Sequence, residues 1–247
     1  MATTSLKSVR IILVEPAGDL NVGSVARVMK NMGLEQLVLV QPRCDPLCQE
    51  ARLMAVHGGD ILERARTVES LPAALQGCQR AIATTARSRS LPTQLELPSV
   101  ALPWLLGENL VSALIFGPEE RGLSNRELNY AQRFVSIPAT SEYPSLNLAA
   151  AVAVCAYELY RASLEESICT PPLTRDVATL DILEDFYHHL ETVLLQIGYL
   201  YPHTGKARME KFRRLFNCTN LSCEEVAMLR GILRQMSWER GQQKNNE

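Results

Sequence analysis

Five short apolar runs, each separated from the next by a stretch of different period, fix the fold class of this chain. They are VRIILVEP (9–16), QLVLVQP (36–42), AIATTA (81–86), LVSALIFGP (110–118) and FVSIPA (134–139). Runs of this length, apolar at successive positions and bounded by turn residues, read as strands buried on both faces. Between the first two, NVGSVARVMKNMG (21–33) places apolar residues at 22, 25, 28, 29 and 32, the spacing of one helical face, and Gly33 is a natural stop. Doubly buried strands joined by helical segments call for a parallel sheet covered by helices. The expected class is therefore α/β.

Ser124 and Glu127 form a Ser-x-x-Glu capping box, which starts a short helix between the last two strands. Residues 163 to 181, with Pro171-Pro172 and mixed polar residues, read as a linker. Beyond it the pattern is helical throughout: 181–197, 206–216 and 222–238, the last opened by a second capping box, Ser222 to Glu225. The layout is an α/β domain over 1–164, a linker over 165–180 and a small helical extension over 181–247, all ordinary sizes.

Composition narrows the function classes. The chain of 247 residues has a net charge of −2, so no global basic field favours nucleic acid, and any such contact needs a local patch. The N-terminus has no apolar leader, and the longest uncharged run, 143–157, is too short to span a bilayer. A cytoplasmic protein with no membrane partner is expected. The seven cysteines are scattered and odd in number, which suits reduced thiols. Cys44 with Cys48, and Cys218 with Cys223, lack the two-residue knuckle of most zinc sites and have no histidine nearby, so no metal is expected.

Several chemistries lack their motifs. The 13 glycines contain no Gly-x-Gly, so the dinucleotide fingerprint is missing, and no Gly-Lys-Ser/Thr phosphate loop occurs. Neither a His-Glu-x-x-His nor a Gly-x-Ser-x-Gly elbow is present. What remains is a set of polar residues at strand ends, where open α/β sheets hold their ligands. Asn21 and Arg27 follow the first strand, and an arginine early in a helix suits an anion as well as it suits a solvated surface. Thr84-Thr85-Ala86-Arg87-Ser88-Arg89 follows the third, a loop able to grip a sugar–phosphate backbone or simply to stay soluble. Gly117-Pro118-Glu119 ends the fourth, where a glycine permits close approach of a ligand. After the fifth, Ser145 or Asn147 is placed to cap an alanine-rich helix.

In this order the pieces resemble one family, the SPOUT superfamily of RNA methyltransferases, in its 2′-O-methylating branch. NVGSVAR (21–27), LIFGPEERGLSN (114–125) and IPATSEYPSLNLAAAVAV (137–154) match its three motifs. The TTARSR loop (84–89) and the helical tail look like the TrmJ type of tRNA methyltransferase, so the resemblance covers residues 9 to about 236. It implies a sheet that ends in a deep trefoil knot and a bound S-adenosyl-L-methionine. The cofactor pocket would be lined by Thr84, Thr85, Ala86, Gly117, Ile137, Pro144, Ser145 and Leu146. The matching catalytic positions are Arg27, Asn21, Glu119, Ser145 and Asn147.

The implied reaction is attack of a ribose 2′-hydroxyl on the methyl group, with Arg27 orienting the hydroxyl. Pro118 and Pro144 stand where the family varies. The resemblance further implies a homodimer and a tRNA substrate, at nucleotide 32 of the anticodon loop. The same chemistry on ribosomal RNA or another tRNA position, and a non-catalytic RNA-binding module, remain alternatives. RNA contacts are expected from Arg87 and Arg89, and from the basic segment KARMEKFRR with Lys206, Arg208, Lys211, Arg213 and Arg214.

Overall fold

The strand-like runs form a single parallel sheet in a computed structural model that describes residues 6–85, 95–107, 109–166, 176–217 and 219–244. The chain divides into two compact units, residues 1–173 and 174–247. In the first, β1 (Val9–Val14) is followed by α1 (Asp19–Asn31), β2 (Gln36–Val40), α2 (Gln49–Ala55), α3 (Gly59–Glu63), β3 (Arg66–Val68) and α4 (Leu71–Leu75). Then come β4 (Arg80–Thr84), α5 (Pro98–Ala101), β5 (Ser112–Phe116), α6 (Asn125–Leu128), β6 (Arg133–Val135) and α7 (Leu148–Glu166). The strand order is β3-β2-β1-β5-β4-β6. Every pairing is parallel, with β1 in register from Arg10 opposite Gln36 to Val14 opposite Val40.

All five expected strands are present, each shorter than its apolar run. Two of them stop where the chain turns sharply. Glu15 and Gln41, directly after β1 and β2, take left-handed conformations with φ of 47° and 45°, and no strand continues through that geometry. The sixth strand, β3, escapes a periodicity reading because it is three residues long and lies at the sheet edge, with Arg66 and Thr67 exposed.

Both faces of the sheet are covered. Val9, Ile11 and Leu13 pack in one cluster with Val22, Val25 and Met29 of α1 and with Val152, Cys155 and Leu159 of α7. Ile12 and Val14, on the alternate face, are also buried. Helix α7 runs to Glu166, so it extends into the stretch read as a linker, and 167–175 lie outside the described residues.

Helix α1 touches α2 backbone to backbone. A Cβ built on Gly23 would stand 2.2 Å from the carbonyl oxygen of Ala51, so only glycine fits. Gly23→Ala is expected to force the helices apart and to destabilise the unit by about 1–3 kcal/mol. Thermal melting checks this, and an unchanged midpoint would contradict the close contact.

In the second unit, α8 (Leu180–Gln196), α9 (Pro202–Asn217) and α10 (Cys223–Lys244) bury Leu183, Phe186, Tyr187, Val193, Val226 and Leu233. Phe186 meets Phe216 edge to face at 5.2 Å. The second capping box forms as expected, with the Ser222 amide donating to Glu225 at 2.8 Å and the Glu225 amide donating to Ser222 Oγ at 3.2 Å. One expectation for α9 changes. Arg213 is ion-paired with Glu184 and its guanidinium lies 4.6 Å from the centre of the Tyr187 ring, so it helps to hold α9 on α8. Lys206, Arg208 and Lys211 of the same helix are exposed.

Candidate active site

The C-terminal ends of β4, β5 and β6 open onto one cavity of about 220 Å³. The segment after β5 supplies Gly117 to Leu123, and the segment after β6 supplies Ile137, Pro144, Ser145 and Leu146. Thr84 and Thr85, at the end of β4, complete the wall. Their positions are fixed from both sides. Thr84 Oγ1 donates to the Ile115 carbonyl of β5 at 3.0 Å, and the Thr85 amide donates to the Val135 carbonyl of β6 at 2.9 Å.

The β5 loop is folded back tightly. A Cβ on Gly117 would lie 2.4 Å from the Leu123 amide nitrogen, and Gly122 adopts a φ of 65°. The Gly122 amide closes the turn onto the Pro118 carbonyl at 2.9 Å. The fold is pinned by Arg121, which donates to Glu127 at 2.8 and 2.9 Å and to Glu15 at 3.0 Å. Glu127 also closes the expected capping box, accepting from the Ser124 amide at 2.6 Å.

Burial alone would raise the Glu127 carboxyl. The hydrogen bonds from Arg121 and the Ser124 amide outweigh it and bring the group down to about 2. The hydrogen bond to Glu127 in turn holds Arg121 more firmly protonated than usual. Arg121 is thus neutralised by two carboxylates, while Glu119 and Glu120 at the cavity wall are exposed. The local field favours a cationic ligand over an anionic one.

Three of the expected residues form one directed chain of hydrogen bonds. Glu119 accepts from Asn21 Nδ2 at 2.9 Å and from the Ala17 amide at 3.3 Å. Asn21 Oδ1 accepts from Asn147 Nδ2 at 2.9 Å. Asn147 Oδ1 accepts from the amides of Ala149 and Ala150 at 2.9 and 3.3 Å, so Asn147, and not Ser145, caps α7. A carboxylate that only accepts stands at one end and helix amides that only donate stand at the other. The orientation of both asparagine side chains follows from those ends.

That directionality gives a sharp prediction. Asn147→Asp keeps an equally good helix cap but replaces the Nδ2 donor with an acceptor facing Asn21 Oδ1. The expected result is a melting temperature within a few degrees of wild type and a fall in turnover of about 10-fold or more, the scale of one lost hydrogen bond to a charged chain. Equal turnover in the two proteins would remove the relay from the reaction.

The structure therefore brings together Thr84, Thr85, Gly117, Glu119, Ile137, Pro144, Ser145 and Leu146 around the cavity, with Asn21 and Asn147 joined to it through Glu119. Ala86, Arg87 and Arg89 lie outside the described residues. Arg27 is not among the residues around the cavity. It is exposed on α1, six residues past Asn21, which puts it roughly 240° around the helix and about 9 Å along it. Among the described residues Arg27 has no hydrogen-bond or ion-pair partner. The sequence reading missed Arg121, Glu15 and Glu127 as builders of the site. Only the Ser124–Glu127 box gave a local signal.

Residues 8–157 match the SpoU rRNA methylase family. The chain belongs to that family. Residues 181–247 match the C-terminal domain of the tRNA methyltransferase TrmJ. The tRNA (cytidine/uridine-2′-O-)-methyltransferase TrmJ of Pectobacterium atrosepticum is 42% identical over 92% of this chain and 96% of its own. The tRNA (cytidine/uridine/adenosine-2′-O-)-methyltransferase TrmJ of Pseudomonas aeruginosa is 41% identical over 92% and 93%. The crystal structure of TrmJ from Z. mobilis ZM4 superposes with a TM-score of 0.81, at 30% identity, covering 92% of this chain and 98% of that one. Among the described residues no helix is long and apolar enough to cross a membrane.

Proposed function

We propose that this protein is an S-adenosyl-L-methionine-dependent methyltransferase acting on a ribose 2′-hydroxyl of tRNA. The observation that carries the reading is the cavity at the ends of β4, β5 and β6 together with the Glu119–Asn21–Asn147 relay at its rim. The chain's relatives over more than nine-tenths of its length are tRNA 2′-O-methyltransferases by name.

The residues present suit the cofactor. Phe116, Ile137 and Leu146 offer apolar walls for a nucleoside, and Thr85, Gly117 and Ser145 line the same cavity with polar side chains and backbone. The carboxylates of Glu119 and Glu120 suit the positive sulfonium. Glycine at 117 leaves room where any side chain would collide with the loop. When bound, S-adenosyl-L-methionine supplies an electrophilic methyl group whose leaving partner is a neutral thioether, so the chain has no leaving-group charge to stabilise.

The task left to the protein is to hold the hydroxyl in line and to assist its ionisation. Arg27 is the group for the second task. Its guanidinium stays protonated, so it orients the hydroxyl and stabilises the forming alkoxide and does not act as a base, and the hydroxyl proton passes to a phosphate of the RNA. An unpaired, exposed arginine is free to do this. Its place on α1, away from the cavity of its own protomer, fits a homodimer in which each Arg27 serves the partner's pocket. Val154, Tyr157 and Leu164 make an exposed apolar stripe on α7 at helical spacing, a further reason to expect a second copy. The deep trefoil knot belongs to the same reading, as does the tRNA-binding role of the helical unit.

Within the tRNA, nucleotide 32 of the anticodon loop is the proposed position. The chemistry touches the ribose and not the base, which fits the different base tolerances in the relatives' names. Incubating the protein with unmodified tRNA and cofactor, then sequencing nuclease fragments by mass spectrometry, tests this. A methylated ribose at nucleotide 32 is expected, and methylation confined to another position would overturn the assignment.

A further inference from the structure

The helical unit carries a feature that the basic segment of α9 does not explain. On α10, Arg230, Arg234 and Trp238 are four residues apart, which lines them along one flank of the helix. From Val226 to Trp238 the sequence has no aspartate or glutamate. Neither Arg230 nor Arg234 has a hydrogen-bond or ion-pair partner among the described residues. Arg213 on α9, by contrast, is paired with Glu184, and Arg208 and Arg214 donate to the carbonyls of Tyr199 and Glu210. Trp238 is 58% exposed.

We propose that this flank of α10, with His189 of α8 beside it, is a contact site for the RNA substrate. The arginines would take backbone phosphates and Trp238 would stack on an unpaired base. The proposal rests on the reading of the protein as an RNA methyltransferase.

Two unpaired guanidiniums one helical turn apart repel each other in the free protein, and a bridging polyanion relieves that repulsion. Their field reaches the neighbouring helix. Burial and the nearby positive charge of Arg230 and Arg234 make His189 harder to protonate, and its Nδ1 is buried without a hydrogen-bond partner. Asp185 stands one turn before His189 on α8 and Glu191 two residues after it, and neither forms an ion pair with the two arginines among the described residues. In a chain of net charge −2 such a local excess is what a polyanion would find. A tryptophan one turn beyond the two arginines adds the sequence-tolerant stacking on which single-stranded segments depend. Anticodon loops offer such segments.

The test uses the full chain, with tRNA affinity measured across a range of salt, cofactor binding measured by calorimetry, and oligomeric state by sedimentation. For Arg230→Glu with Arg234→Glu, tRNA affinity is expected to fall at least ~10-fold, and the slope of log affinity against log salt to become shallower by roughly 2. Cofactor affinity and sedimentation should not change. Trp238→Ala should weaken tRNA about 5- to 100-fold with the salt slope intact. Should the charge reversal fail to fold, Arg230→Gln with Arg234→Gln must still flatten the slope.

Unchanged affinity and slope in variants of a protein that binds tRNA would overturn this site alone. A change in sedimentation with unchanged tRNA affinity would also overturn it, assigning the flank to a protein contact. A wild-type protein that binds cofactor but no tRNA would overturn the site and the substrate reading together.

Discussion

Gly117→Ala is expected to cost about 100-fold or more in affinity for S-adenosyl-L-methionine. The new methyl group would stand 2.4 Å from the Leu123 amide nitrogen and 2.5 Å from the Gly122 carbonyl carbon. These are backbone atoms, so no rotamer change relieves the clash, and the loop must open by about 1 Å to reach van der Waals contact. That loop is the cavity wall, and Arg121 ties it to Glu15 and Glu127. A displaced wall that forfeits about 3 kcal/mol of contact with the cofactor lowers affinity by ~100-fold. Calorimetry with the cofactor is the direct check, with circular dichroism to confirm that the sheet is intact. Wild-type affinity in a folded variant would mean that the cavity is not the cofactor site.

Arg27→Ala is expected to act in the opposite sense, leaving binding and stability in place while removing the reaction. The side chain is exposed and unpaired among the described residues, so its loss breaks no described side-chain hydrogen bond or ion pair. If it stabilises the forming alkoxide, its removal should lower single-turnover methyl transfer by about 10²–10³-fold, the usual scale for one donor of this kind. Arg27→Lys separates charge from shape. An ammonium keeps the charge but not the planar fork, so most of the loss should persist. Near-normal turnover in the lysine variant, with unchanged RNA affinity, would defeat the fork geometry. In a homodimer there is a further consequence. Mixing inactive Arg27→Ala with inactive Gly117→Ala chains should restore activity to one of the two sites in mixed dimers.

The sheet was legible in the sequence because strands buried on both faces leave continuous apolar runs, and Ile11 and Ile12 are both fully buried. β3 was not, since an exposed three-residue edge carries no period. The cap at Asn147 was legible, as were Asn21 and Glu119 as polar residues at strand ends, but the hydrogen bonds that join the three were not. Asn21 is 98 residues from Glu119 and 126 from Asn147, so their hydrogen bonds exist only once the strand ends are assembled.

Arg121 gave no signal in the sequence for a related reason. Its partner Glu15 lies 106 residues away, at the end of a strand whose neighbour in the sheet no local pattern announces. Arg213 erred in the other direction. Composition counted it in a basic face, whereas its position opposite Glu184 and Tyr187 turns it inward. Charge content identified the helix but could not say which cations were free.

The central claim is that the cavity holds the methyl donor and that a tRNA ribose receives the methyl. The most direct measurement uses the purified protein, cofactor carrying an isotopically labelled methyl group, and unmodified tRNA, with nucleoside mass spectrometry of the digested product. Labelled 2′-O-methylnucleoside is expected at up to one per tRNA, and none with Gly117→Ala. Label on a base, or no label in tRNA from a protein that binds the cofactor, would contradict it.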